Sequence, residues 1–191
     1  MKIFESGIVI TNNEQNALKH LLVDPEQTIK DAIVAKASSR RSALVHEWEP
    51  TLYADDSVTS LPKAESEVAA LIFARDDYQT RLERDIAAGN STEKLSAAKY
   101  SRVDRTGPTL KIFENGIDID DADANCILAY VQYLDDWVLG SLMGHIGRGK
   151  KQMKRTWEPI LLADDNVATM PATEAEFISN VVARADYKPA A

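Results

Sequence analysis

The chain has 191 residues, 45% of them hydrophobic and 27% charged, a balance that suits one large or two small globular domains with a real core. Its formal net charge of -8 argues against broad nucleic-acid binding, which needs a dominant basic surface. The single cysteine, Cys126, excludes an internal disulfide and a cysteine-rich zinc site, and suits a reducing compartment or assembly in one. Met1 to Glu5 lacks the pattern of a secretory signal, and the most apolar stretch, Cys126 to Leu134, is too short and interrupted to span a bilayer.

In chain order, residues 2–10 alternate partly (Ile3, Ile8, Ile10) around Glu5-Ser6-Gly7, which predicts a short strand or tight hairpin. A first helix is expected over 13–23. Asp24-Pro25-Glu26 then reads as an N-cap, a proline at the first helical position and an acid in the first turn. The second helix runs on to about Tyr53 through the apolar stripe Ile29, Ile33, Leu44, Trp48 and Leu52. Pro50 removes a backbone donor and crowds the preceding turn, so the helix is expected to kink or end just before it. Asp55 to Pro62 reads as a loop and 63–75 as a third helix. Leu82 to Ala88 continues as helix until Gly89-Asn90-Ser91-Thr92 breaks it, and Ser101 to Pro108 is polar and aperiodic.

The pattern then returns. Lys2-Ile3-Phe4-Glu5-x-Gly7-Ile8 recurs as Lys111-Ile112-Phe113-Glu114-x-Gly116-Ile117, and Trp48-Glu49-Pro50 as Trp157-Glu158-Pro159, each at an offset of 109 (111 − 2 and 157 − 48). The same offset pairs Asp55-Asp56 with Asp164-Asp165, Pro62 with Pro171, Ala74-Arg75 with Ala183-Arg184 and Asp77-Tyr78 with Asp186-Tyr187. One register held over about 77 positions with roughly 23 identities is an internal duplication. The expected architecture is mainly α. Two tandem helical units, 1–80 and 111–191, each carry a short N-terminal strand or hairpin and about three helices, joined by a polar, partly helical linker over 81–110. The second unit's first helix is placed at 121–133, with a capping box at Thr173-x-x-Glu176. The residues kept at the core and turns are Phe4, Gly7, Trp48, Pro50, Pro62 and Tyr78, and their counterparts Phe113, Gly116, Trp157, Pro159, Pro171 and Tyr187.

No chemical motif passes its own requirements. Gly144-x-x-Gly147-x-Gly149-Lys150 approaches a phosphate-binding loop, but Lys151 stands where magnesium needs a hydroxyl, and the segment aligns with a helix. Gly140 and Gly144, one turn apart, would instead admit a neighbouring helix. Asp118, Asp120, Asp121, Asp123 and Asn125 lack the glycine and terminal glutamate of a calcium loop and suit a helix N-terminus. Adjacent aspartates at 55–56 and 164–165 read as loop caps, because no histidine accompanies them. His20, His46 and His145 share no ligand spacing, and Cys126 falls in an apolar helical stretch as a core residue. No cofactor, no metal and no enzymatic activity are expected. The one dense basic run, Arg148, Lys150, Lys151, Lys154 and Arg155, is the candidate interaction site.

The pattern Trp48-Glu49-Pro50-x-Leu52-x-Ala54-Asp55-Asp56-x-Val58, followed by Pro62, Glu65, Glu67 and Ala74-Arg75-x-Asp77-Tyr78, resembles small helical proteins encoded in tailed-bacteriophage genomes. The resemblance covers 2–78 and 111–187, and this chain differs in carrying two copies. It implies a structural or accessory protein of the virion, on capsid or tail, whose partners are other virion proteins in a symmetric assembly. The alternative is a protein of the host cytoplasm that modulates a host factor or nucleic acid through 148–155.

Overall fold

The computed structural model describes residues 1–90, 92 and 108–190. The elements are β1 (Lys2–Ile3), β2 (Ile8–Thr11), α1 (Asn12–Leu21), α2 (Pro25–Tyr53), α3 (Glu65–Phe73), α4 (Arg81–Ala87), β3 (Thr109–Ile112), β4 (Ile117–Asp118), α5 (Asp121–Leu128), α6 (Leu134–Leu162) and α7 (Glu174–Val182). The chain is mainly helical, with two short antiparallel strand pairs. The aperiodic linker over 101–107 lies outside the described residues.

Sequence chemistry explains the starts. Thr11 caps α1 in a reciprocal box with Glu14, Asp24 accepts from the Gln27 amide at 3.0 Å, and Thr80 and Thr173 form the same box with Glu83 and Glu176. The two long helices, α2 and α6, have 29 residues each, about 43 Å at 1.5 Å per residue. Pro50 and Pro159 do not end them. Each helix continues to the residue three beyond its proline, and the Ala54 and Ala163 amides donate to the Pro50 and Pro159 carbonyls at 3.2 Å. The missing donor affects one turn near an exposed helix end, while buried Leu52 and Leu161 anchor that turn from the other side.

The strands around each Phe-Glu-x-Gly turn find their partners in the other block, not in each other. β1 pairs with β4 (Lys2 opposite Asp118, Ile3 opposite Ile117), and β2 pairs with β3 (Ile8 opposite Ile112, Val9 opposite Lys111). Helix packing crosses in the same sense: α1 lies on α6 and α7, and α5 lies on α2 and α3. The central core therefore draws on both blocks, with Ile3, Ile8, Ile10, Leu18, Ile29 and Ile33 meeting Ile112, Phe113, Ile117, Ile127, Val138 and Leu142. Two smaller clusters sit under α3 (Leu44, Leu52, Val68, Ile72, with Cys126 of α5 and Ala129 just after it) and α7 (Met153, Trp157, Leu161, Phe177, Ile178, Val181).

Glycines mark the close approaches. Gly7 and Gly116 have φ of +73°, and each would bring a Cβ to 2.9 Å from a carbonyl of the facing strand, Ile112 or Ile3. In α6 the close approach is at Gly149, where a Cβ would meet the Ala17 backbone of α1. Gly140 and Gly144, expected from the sequence to admit a helix, have nothing near them. Their spacing identified a glycine-rich face, but α1 meets α6 at Gly149, five residues beyond Gly144 and nine beyond Gly140. Gly149→Ala is expected to destabilise the protein by about 2 kcal/mol or more, because backbone cannot retreat as a side chain can. Gly144→Ala, in open space on the same helix, is expected to stabilise it by about 0.5–1 kcal/mol through helix propensity. Urea denaturation of the two variants checks the opposite signs.

Candidate interaction surface

The basic run lies within α6, and the helix divides it. Lys150 and Lys154, one turn apart, face carboxylates: Lys150 Nζ is 2.7 Å from Glu174 of α7, and Lys154 Nζ is 3.8 Å from Glu158. Together with Leu162, Met170, Pro171 and Phe177 they border a depression of about 260 Å³. Arg148, Lys151 and Arg155 occupy the i, i+3, i+7 positions of another face. They are exposed, carry no ion pair among the described residues, and line a groove of about 480 Å³ with Leu21, Gln152 and Thr156. Arg148 contacts His145 Nδ1 at 3.0 Å, and burial, helped by that guanidinium, lowers the His145 pKa. Residues at the same register in α2 are Ser39, Ser42 and His46, so this stripe belongs to the second block alone.

The retained residues form a lock instead, and it occurs twice. Arg75 follows α3 and reaches Asp55 at 2.5 Å and Asp77 at 2.7 Å. Arg184 follows α7 and reaches Asp164 at 2.6 Å and Asp186 at 2.9 Å. Each guanidinium sits 5.8 Å from a tryptophan ring, Trp48 or Trp157. Tyr78 and Tyr187 pack on the same tryptophans at 6.0 and 5.9 Å. The fork ties the loop after each long helix to the end of the following short one. Pro62 and Pro171, both half-buried, lead from that loop into α3 and α7. Phe4 and Phe113 open the exchanged turns with φ of +52° and +51°.

The other candidates are absorbed by structure. Asp120 caps the Ala122 amide at 2.8 Å, Asp121 holds the N-terminal amine at 2.5 Å, and Asp123 pairs with Arg41 of α2. Among the described residues no three His, Cys, Asp or Glu side chains converge as a metal site, and no helix is long and apolar enough to cross a membrane. The glycine-lysine run stays inside a helix, so it makes no phosphate cradle. Cys126 is fully buried, and burial pushes its thiol up despite Arg41, the reverse of an activated nucleophile. His20, an isolated histidine in the sequence, stacks on Tyr187 at 5.9 Å with both ring nitrogens buried and unpartnered, and burial lowers its pKa. Neither Gly149 nor the Arg forks stood out as a site by composition. The sequence signal for the forks was the repetition of their parts at one offset, Trp48, Asp55 and Arg75-x-Asp77-Tyr78 with Trp157, Asp164 and Arg184-x-Asp186-Tyr187.

The forks set an acid limit on stability. Hydrogen bonds from Ser57 and from Arg75 hold Asp55 at about 2, and those from Arg184 and Asn166 hold Asp164 at about 2, both below the ordinary 3.8. A carboxylate with a depressed folded-state pKa stabilises above its unfolded value, and that contribution is lost as pH falls through the folded value. Thermal unfolding is therefore expected to drop between pH 4 and pH 2. The Asp55→Asn/Asp164→Asn double variant, less stable at pH 7, should show a shallower drop across the same window.

Comparison of the chain with protein-family models, curated proteins and solved structures finds no match.

Proposed function

We propose that this protein is a non-enzymatic interaction protein that offers two like docking ends to a repetitive partner, as an accessory component of a bacteriophage capsid or tail. The observation that carries the reading is the twice-built lock of Trp, Arg, Asp and Tyr, which holds the chain just past each long helix in the same geometry. Beside each lock, the last helical residue is an exposed apolar side chain, Tyr53 at 71% and Leu162 at 68%. An exposed acid lies three residues further on, Asp56 or Asp165. A partner with apolar pockets rimmed by basic groups would fit both ends. When one end has docked, the other searches at high local concentration, so a weak contact made twice becomes a firm one. The resemblance to phage-encoded helical proteins supports a virion as that repetitive partner.

Mass spectrometry of purified particles from a phage carrying this gene is expected to find the protein at a fixed ratio to a capsid or tail protein. Its absence from particles overturns the reading. In particles assembled with Tyr53→Asp/Leu162→Asp, occupancy should fall at least tenfold, and by much more than with either single change.

The free stripe favours a second reading, a protein that binds a host factor or nucleic acid through Arg148, Lys151 and Arg155. On that reading a short DNA duplex binds at low salt, with a log–log salt slope of roughly −3 for three phosphate contacts. Arg148→Glu/Lys151→Glu/Arg155→Glu abolishes the binding. Fluorescence anisotropy reads both, and a duplex that stays free at low salt removes the nucleic-acid form of this reading.

A further inference from the structure

We infer that the surface each block turns toward the other is a selective docking surface for a copy of that other block, so the covalent linker is dispensable and a block can be accepted equally from a second copy of this chain. The strand pairing has the reciprocity of an isologous interface, in which residue i meets j and j meets i. Lys2 opposite Asp118 and Val9 opposite Lys111 are one contact displaced by 109, as are Ile3 opposite Ile117 and Ile8 opposite Ile112. The close approaches repeat it: Gly7 lies against Lys111 and the Ile112 carbonyl, and Gly116 against Lys2 and the Ile3 carbonyl. The central core is built from both blocks, so either block alone would expose Ile3, Ile8 and Ile10, or Ile112, Ile117 and Ile127.

Selectivity lies where the reciprocity breaks. On one side α1 seats its Ala17 backbone on Gly149, a site with no room for a Cβ. The α2 residue at Gly149's register is Arg40, whose guanidinium lies over the Tyr130 ring at 4.6 Å. Two first blocks together would place Arg40 under Ala17 twice, where the observed approach admits only glycine. The opposite side adds the Arg41–Asp123 ion pair and a hydrogen bond from the Tyr130 hydroxyl to Glu47 at 3.0 Å. In a pair of first blocks the partners of Arg40 and Arg41 become Leu21 and Glu14, so the aromatic platform is lost. First block with second block is the favoured combination, within a chain or between chains.

The test uses the full chain with a protease site placed within residues 93–107, prepared unlabelled and with nitrogen-15. After cleavage, native mass spectrometry is expected to show the two pieces still bound one to one, with a Tm that depends on concentration. When the two cleaved preparations are mixed, label should scramble among first–second complexes, and first–first complexes should be at least tenfold rarer. Arg40→Gly should raise the share of first–first complexes. Pieces that separate after cleavage would overturn the inference. So would first–first complexes as abundant as first–second ones, or an Arg40→Gly protein with unchanged pairing.

Discussion

The antiparallel pairing of Ile3 with Ile117 and Ile8 with Ile112 is the contact on which the remaining packing depends. Neither block can close its own strands, because the turn between β1 and β2 sends them to different partners. Once the strands have crossed, α1 and α5 are carried to the far side of the molecule and come to rest on the other block's long helix. Three or more strands, or packing against a helix, are needed for a small sheet to be stable in water. Here the two-stranded pairs meet that need by lying on the central helical core.

The crossing is costly locally. Phe4 and Phe113 sit at positive φ, a conformation that costs an L residue roughly 1–2 kcal/mol. The Gly7 and Gly116 amides close each turn by donating to the Phe4 and Phe113 carbonyls at 2.7 and 2.8 Å. The Phe113 amide finds Glu26 at 3.0 Å. Ile8 and Ile10 are almost completely buried as a result, each contributing about 2 kcal/mol of transfer free energy. The strained turns persist because the burial they allow outweighs them.

Much of the architecture was legible in the chain. The caps at Asp24 and Thr173, the long stripe from Ile29 to Leu52 and the break at Gly89 are local signals that tertiary packing did not override. The 109-residue offset places equivalent elements at equivalent positions, including two helices of 29 residues. Which strand meets which was not legible, since alternation marks a strand and not its partner. The stripe through Leu52 carried the helix on to Tyr53, but whether Pro50 would end it was open in the sequence, and burial of Leu52 beyond the proline decides that. The basic run could be read as composition only. Lys154 and Glu158 are an i,i+4 pair on one helix, but the pairing of Lys150 depends on where Glu174 of α7 arrives. Spacing in the sequence pointed to Gly140 and Gly144 of α6, and only the crossing point of α1 singles out Gly149.

Native-state amide hydrogen exchange in low denaturant tests the shared core most directly. If the blocks interlock as described, the slowest amides of β2, α2, β3 and α6 open together, with one free energy and one denaturant dependence. Two separate openings, one for the amides of 2–78 and a different one for those of 111–187, would contradict it.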